Sequence, residues 1–138
     1  MPAGARSPKH LPGVTSFSGP EEYSAFLARS EILVCLVPLT AETRGILGRA
    51  TFEQLPRGAG VINAGRGGHL IEADLLTALE SGQIRRRGAD VFQTEPLPAD
   101  HPFWDHPRIV VTPHVAALTN PVTAAEVIGA NLRRPRRR

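Results

Sequence analysis

Apolar residues in this chain fall into short runs punctuated by Gly and Pro, and the spacing between them switches between two periods. Ile32 to Val37 is apolar without alternation, which suits a strand buried on both faces of a parallel sheet, and Pro38 ends it. Further strands are predicted over 59–63, 86–91 and 109–112, with a shorter one from Gly13 to Phe17. Between them the spacing becomes helical. Tyr23, Phe26 and Leu27 fall at i, i+3, i+4 behind Ser18-x-x-Glu21, a capping box, and predict a helix over 20–29. Ile71, Leu75 and Leu79, with Leu76 beside them, stripe a helix over 72–81 that Gly82 stops. Short helical pieces are predicted at 42–46 and 49–55, and a last helix at 121–132. Pro96, Pro98 and Pro102 keep 93–107 irregular, and residues 1–12 show no periodicity.

Strands alternating with helices predict an α/β fold, a parallel sheet with helices packed on it. Ligands of such sheets sit outside the carboxyl ends of the strands, so the residues after each strand carry the functional information. Pro38-Leu39-Thr40 follows the first long strand, and Arg66 follows the second. Asp90 and Glu95 come after the third, Pro113-His114 after the fourth. One cation, two carboxylates and one imidazole therefore share a rim.

Composition narrows the class. The 138 residues make one domain, large enough to bury a core, and 41% apolar with 21% charged residues is ordinary for a globular protein. The net charge of +3 misleads. Without the five arginines at 133, 134, 136, 137 and 138, 11 cations face 13 acids, a balance of −2. The domain reading is an irregular segment over 1–12, a folded unit over 13–132 and an Arg-rich tail over 133–138. That tail admits a nucleic acid or acidic partner, but no aromatic residues are interleaved with it for base stacking, and cations also suit a helix C-terminus. No apolar run approaches the ~20 residues that span a bilayer. The single Cys35, inside an apolar run, reads as a buried structural thiol and fits a reducing cytoplasm. His10, His69, His101 and His106 lack metal-ligand spacing, so no metal site is expected. Trp104 reads as a packing anchor for the Pro-rich loop.

Gly65-Arg66-Gly67-Gly68 admits two readings: a flexible turn with a solvated arginine, or a fork held toward a small anion at the strand end. It is not a dinucleotide fingerprint, because Leu70 stands where the third glycine is required. His114 alone reads as a structural histidine. With Glu95 accepting a hydrogen bond from its ring, the imidazolium is favoured, the tautomer is fixed, and the pair becomes a general acid/base. An arginine gripping a carboxylate beside a histidine protonating a neighbouring oxygen points to a 2-oxo or 2-hydroxy acid.

Four ordered motifs then carry a resemblance. Pro38-Leu39-Thr40-x-x-Thr43-Arg44-Gly45, Asn63-Ala64-Gly65-Arg66-Gly67-Gly68, Asp90-Val91-Phe92-x-x-Glu95-Pro96-Leu97-Pro98 and Thr112-Pro113-His114-Val115-Ala116 resemble the D-isomer-specific 2-hydroxyacid dehydrogenases. The nearest branch is the glyoxylate/hydroxypyruvate reductases of the A type. The resemblance implies a Rossmann-like sheet and an NAD(P)-dependent oxidoreductase. In it Arg66 orients the substrate carboxylate and polarises its carbonyl, His114 donates the proton, and Glu95 supports His114. It implies that Pro38 and Thr43 line the dinucleotide groove, that Ala64 and Asp90 sit near the nicotinamide carboxamide, and that Arg6-Ser7 faces the 2′-phosphate. NADP is thus favoured over NAD. A homodimer is the family's habit. Gly65 departs from the Ala common in relatives.

No Gly-x-Gly-x-x-Gly occurs in the chain. The expectation is a part of the cofactor domain that lacks the first strand and helix and the substrate domain, is inactive or merely dinucleotide-sensing when alone, and has Ile32–Val37 as an exposed edge. Either the Gly13–Phe17 strand closes that edge or it self-associates.

Overall fold

The structure is a computed structural model describing residues 2–5, 7, 10, 12–116 and 120–133. In chain order its elements are β1 (Pro2–Ala5), β2 (Thr15–Ser18), α1 (Tyr23–Ala28), β3 (Ile32–Cys35), α2 (Arg49–Phe52), β4 (Ala59–Asn63), a 3-10 turn at Gly67–His69, α3 (Glu72–Glu80), β5 (Ile84–Ala89), β6 (Ile109–Val111) and α4 (Pro121–Arg133). Strands β3-β4-β5-β6 form a four-stranded sheet in that order, every pair parallel. A parallel sheet whose first two crossovers carry helices α2 and α3, the third being the irregular 90–108 segment, is the α/β, Rossmann-like arrangement. Among the described residues no helix is long and apolar enough to cross a membrane.

Local physics accounts for most boundaries. Helix α3 begins with Glu72 and Asp74 in its first turn, where carboxylates favour the positive end of the helix dipole. Its Leu75 and Leu79 are fully buried, each contributing about 2 kcal/mol by removal from water. Helix α1 is shorter than the 20–29 expected and is not capped by Ser18. The capping pair is inverted: the carboxylate of Glu22, not Glu21, reaches back to the Ser18 N–H at 2.6 Å. The piece expected at 42–46 is a run of turns, fastened when Thr43 Oγ1 donates to the Pro38 carbonyl at 2.7 Å.

Three expectations are corrected. Residues 1–12 are not wholly irregular: Pro2–Ala5 pairs in parallel with Thr15–Ser18 as a separate two-stranded sheet. Backbone pairing of this kind leaves no side-chain periodicity to read. Strand β2 consequently does not close the edge of β3, whose one partner among the described strands is β4. Nor is β3 buried on both faces. Leu33 and Cys35 face the helices and are buried, whereas Ile32 is 64%, Val34 47% and Leu36 71% exposed. Helices α1, α2 and α3 contribute Leu27, Phe52, Leu75 and Leu79 to one core. On the opposite face the row Val34, Ile62, Gly88, Val110 crosses all four strands, with Val110 63% exposed. Trp104 is the third correction. It is half exposed, its Nε1–H holding the Pro98 carbonyl at 2.8 Å, and the buried anchor is its neighbour Phe103.

Arg87 was not foreseen. Pairing places it in the covered row between Val61 and Ile109, where it is 1% exposed. Among the described residues its Nε, Nη1 and Nη2 have no hydrogen-bond partner, and the guanidinium stacks over the Phe103 ring at 5.0 Å. Burial pulls its pKa down to about 10, against a smaller opposite pull from Glu72. Guanidinium desolvation without hydrogen bonds is costly.

Two outcomes follow from this packing. Arg87→Met removes the orphaned charge and keeps the packing volume, and should raise stability by about 1–4 kcal/mol, read as a higher urea midpoint at unchanged slope. A lower midpoint would mean that the guanidinium has found compensation. The bare apolar row should also drive self-association. Sedimentation velocity should show mass rising with concentration, and V34K with V110K together should suppress it; a monodisperse monomer at high concentration would contradict this.

Candidate active site

The site is assembled at the carboxyl ends of the strands. After β4, Asn63 is fully buried and turns its side chain onto the following loop. Its Oδ1 accepts the Gly65 N–H at 3.2 Å and its Nδ2 donates to the Arg66 carbonyl at 3.0 Å. From below, Nδ1 of buried His69 accepts the Arg66 N–H at 3.0 Å. With its backbone held on both sides, Arg66 is left with an exposed side chain whose Nη1 rests on the Gly65 carbonyl at 2.7 Å. This is an anchored turn, not a flexible one.

The next strand supplies the carboxylates. The loop after β5 passes so close that a Cβ on Gly67 would overlap the Phe92 carbonyl. Glycine is needed there for one backbone to lie on another, rather than for approach to a ligand. The same Phe92 donates its N–H to Glu95 Oε1 at 2.9 Å, so the Arg66 turn and the Glu95 carboxylate share a support. Glu95 Oε2 accepts from His114 Nδ1 at 2.8 Å. That hydrogen bond, then the Phe92 N–H, hold the Glu95 carboxyl below its ordinary range, and the positive charge of Arg66 acts in the same direction. With Nδ1–H turned to the carboxylate, Nε2 is the ring atom left for a substrate.

His114 has φ 55°, a left-handed conformation that costs a non-glycine residue about 1–2 kcal/mol. Asp90 holds it there. Asp90 Oδ1 accepts Thr112 Oγ1–H and the Val115 N–H at 2.9 Å, and Oδ2 accepts the Ala116 N–H at 2.9 Å. Burial pushes the Asp90 carboxyl up, but the three hydrogen bonds outweigh it and the net shift is downward. These contacts give Asp90 a task in the protein itself, anchoring the backbone on either side of His114.

The structure therefore brings Arg66, Glu95 and His114 together on one rim, with Asp90 directly behind. Ala64 and Pro38 line a cavity of about 490 Å³ with Leu36, Val37, Leu39, Gly65 and Arg66. Thr43 stiffens its edge through Pro38. No counterpart of the pyrophosphate-binding glycine turn occurs in the sequence. Ser7 is exposed past the end of β1; Arg6, Arg134 and Arg136 to Arg138 lie outside the described residues. Cys35 is buried, which raises its pKa. Sequence reasoning missed Asn63 and His69 as supports of the turn. Asn63 offered a signal, a polar side chain closing an apolar strand, whereas His69 offered none beyond its place four residues past Gly65.

Comparison with known proteins identifies the family. Residues 7–116 match the family described as D-isomer specific 2-hydroxyacid dehydrogenase, NAD binding domain. Glyoxylate/hydroxypyruvate reductase A of Serratia proteamaculans is 52% identical over 128 residues, covering 93% of this chain and 41% of that protein. The chain thus spans well under half the length of that relative. A D-isomer specific 2-hydroxyacid dehydrogenase of Xanthobacter autotrophicus, crystallised with NADPH and MES, superposes with a TM-score of 0.88 at 47% identity, covering 96% of this chain and 55% of that one. The NADPH-dependent glyoxylate/hydroxypyruvate reductase of Sinorhizobium meliloti, in complex with NADP and sulfate, gives 0.83 at 41% identity, covering 94% and 42%. By the extent of the family match, this chain belongs to the D-isomer specific 2-hydroxyacid dehydrogenases and carries their NAD-binding domain.

Proposed function

We propose that the chain holds the reacting side of a reductase that converts a small 2-oxo acid, of the glyoxylate or hydroxypyruvate kind, into its 2-hydroxy acid with NAD(P)H. The observation that carries this reading is the 2.8 Å bond between His114 and Glu95 beside an anchored, outward-facing Arg66. The guanidinium grips the substrate carboxylate through two parallel N–H donors and polarises the adjacent carbonyl. Imidazolium at Nε2 protonates that carbonyl oxygen, and Glu95 on Nδ1 stabilises the imidazolium and fixes the ring. A bound nicotinamide cofactor supplies the hydride. In the opposite direction neutral Nε2 takes the hydroxyl proton. NADP is favoured by relatives crystallised with NADPH or NADP; Asp90 and Ala64 border the place for the carboxamide, and a homodimer follows the family habit.

The test uses oxalate, a non-reducible relative of a 2-oxo acid, titrated into the chain and followed by NMR. Shifts should concentrate at Arg66, Glu95 and His114. Arg66→Gln should weaken binding about 10- to 100-fold, the worth of a charged hydrogen-bonded contact, and Arg66→Lys should recover little, because a point charge does not reproduce the fork. Unchanged affinity in Arg66→Gln would remove the carboxylate assignment. NADPH should bind weakly without a pyrophosphate turn, and its slow oxidation by glyoxylate should fall about 10²–10⁴-fold in His114→Gln; robust oxidation in that variant would overturn the proton assignment.

Asp90 and Glu95 also set an acid limb. Both have folded pKa values below their unfolded ones, so their stabilisation is present above the ordinary carboxylate range and is lost as pH falls through the folded values. Asp90→Asn should cost about 2–3 kcal/mol at pH 7 and flatten the stability profile below pH ~4. An unaltered acid limb in the variant would show that Asp90 does not hold the loop as charge.

A further inference from the structure

Under the Arg66 turn lies a histidine that the proposed reaction does not use. His69 is fully buried. Its Nδ1 accepts the Arg66 N–H at 3.0 Å, and its backbone N–H donates to the Arg66 carbonyl at 3.1 Å. A ring nitrogen that accepts carries no proton, so the hydrogen of this neutral imidazole is on Nε2. Nε2 is buried and has no partner among the described residues.

The ring has a purpose-shaped seat. A Cβ on Gly65 would lie 2.9 Å from both Cε1 and Nδ1 of His69, so the ring occupies the space a side chain at 65 would take, and one of the two would have to shift. A side chain wanted only for packing would be apolar here and would leave no orphaned donor. What an apolar residue cannot do is accept the Arg66 N–H, because the other support, Asn63, bonds the Gly65 N–H and the Arg66 carbonyl.

We propose that His69 is the positioning residue for Arg66: as the Nε2–H tautomer it fixes the Arg66 backbone, and thereby the direction of the guanidinium toward the substrate carboxylate. The inference rests on the reading of Arg66 as the carboxylate-binding group. His69 touches neither substrate nor cofactor and acts through Arg66 alone. The Asn side chain places its Oδ1 where Nδ1 now sits, so His69→Asn retains the acceptor while His69→Leu removes it at similar bulk.

The experiment compares oxalate affinity of the 138-residue wild type, His69→Asn, His69→Leu and Arg66→Gln, together with the two-bond proton–nitrogen spectrum of His69 in the wild type. Expected are an unprotonated Nδ1 and protonated Nε2, a loss of about tenfold or more in His69→Leu, and affinity within about threefold of wild type in His69→Asn. Should His69→Leu fail to fold, the tautomer and the asparagine variant decide. A protonated Nδ1 overturns the proposal, as does wild-type affinity in folded His69→Leu or a loss in His69→Asn equal to that of the leucine variant. Binding lost in Arg66→Gln but kept in His69→Leu sinks this inference alone. Wild-type failure to bind oxalate sinks the carboxylate reading, and this inference with it.

Discussion

Two loop backbones touch where Gly67 lies on Phe92, and the site depends on that crossing. Parallel strands deliver their loops to one end of a sheet, but this alone leaves the loops of β4 and β5 a strand spacing apart. Absence of a side chain at position 67 lets the two backbones meet. Phe92 then touches the Arg66 turn through its carbonyl and Glu95 through its N–H. The cation and the carboxylate are set from a common point, and His114 is set from Glu95 in turn. Any side chain at 67 would part the loops before it disturbed the core, because the core lies on the covered face beneath α2 and α3.

That covered face is only half of the sheet's apolar surface. Parallel sheets are ordinarily shielded on both sides, and here Ile32, Val34 and Val110 face outward. The asymmetry has a mirror image inside. Arg85, Arg86 and Arg87 are consecutive in β5, so alternation must turn at least one arginine toward the helices, and the register selects Arg87. The strand that leads to Asp90 therefore carries in its middle a buried cation with no hydrogen-bond partner among the described residues. The rim is held by short local hydrogen bonds.

How far the sequence could be read follows from the range of each interaction. Strand β4 and helix α3 were legible because a run of Gly60-Val61-Ile62 and a stripe of Leu75 and Leu79 report their own burial. The Arg66, Glu95 and His114 set was legible because strand ends mark the rim, and the four motifs fix its members. Strand β1 was not, since main-chain pairing with β2 needs no side-chain pattern. The two-sided burial of Ile32–Val37 was misjudged because an apolar run reports affinity for cover, not its presence. Glu22 rather than Glu21 bonding Ser18 is a one-residue choice that the motif does not report. Phe103 rather than Trp104 fills the interior because Trp104 can satisfy its N–H on Pro98 only from outside.

His69 marks the deepest gap between pattern and function. Its ring is invisible to periodicity, to metal spacing and to the motifs alike, yet the Arg66 N–H has no other acceptor among the described residues. Asp90 holds the His114 loop by accepting two N–H groups and a hydroxyl, and Asn63 holds the Gly65–Arg66 turn from the strand side. Arg66 and His114 at the surface are thus each suspended from buried acceptors one layer below. A polar atom buried at a strand end is costly unless it is bonded, so the position of these acceptors is fixed by the loops they hold as much as the loops are by them. Chemistry at the rim is in this sense set by which backbone N–H groups the second layer leaves no other way to satisfy.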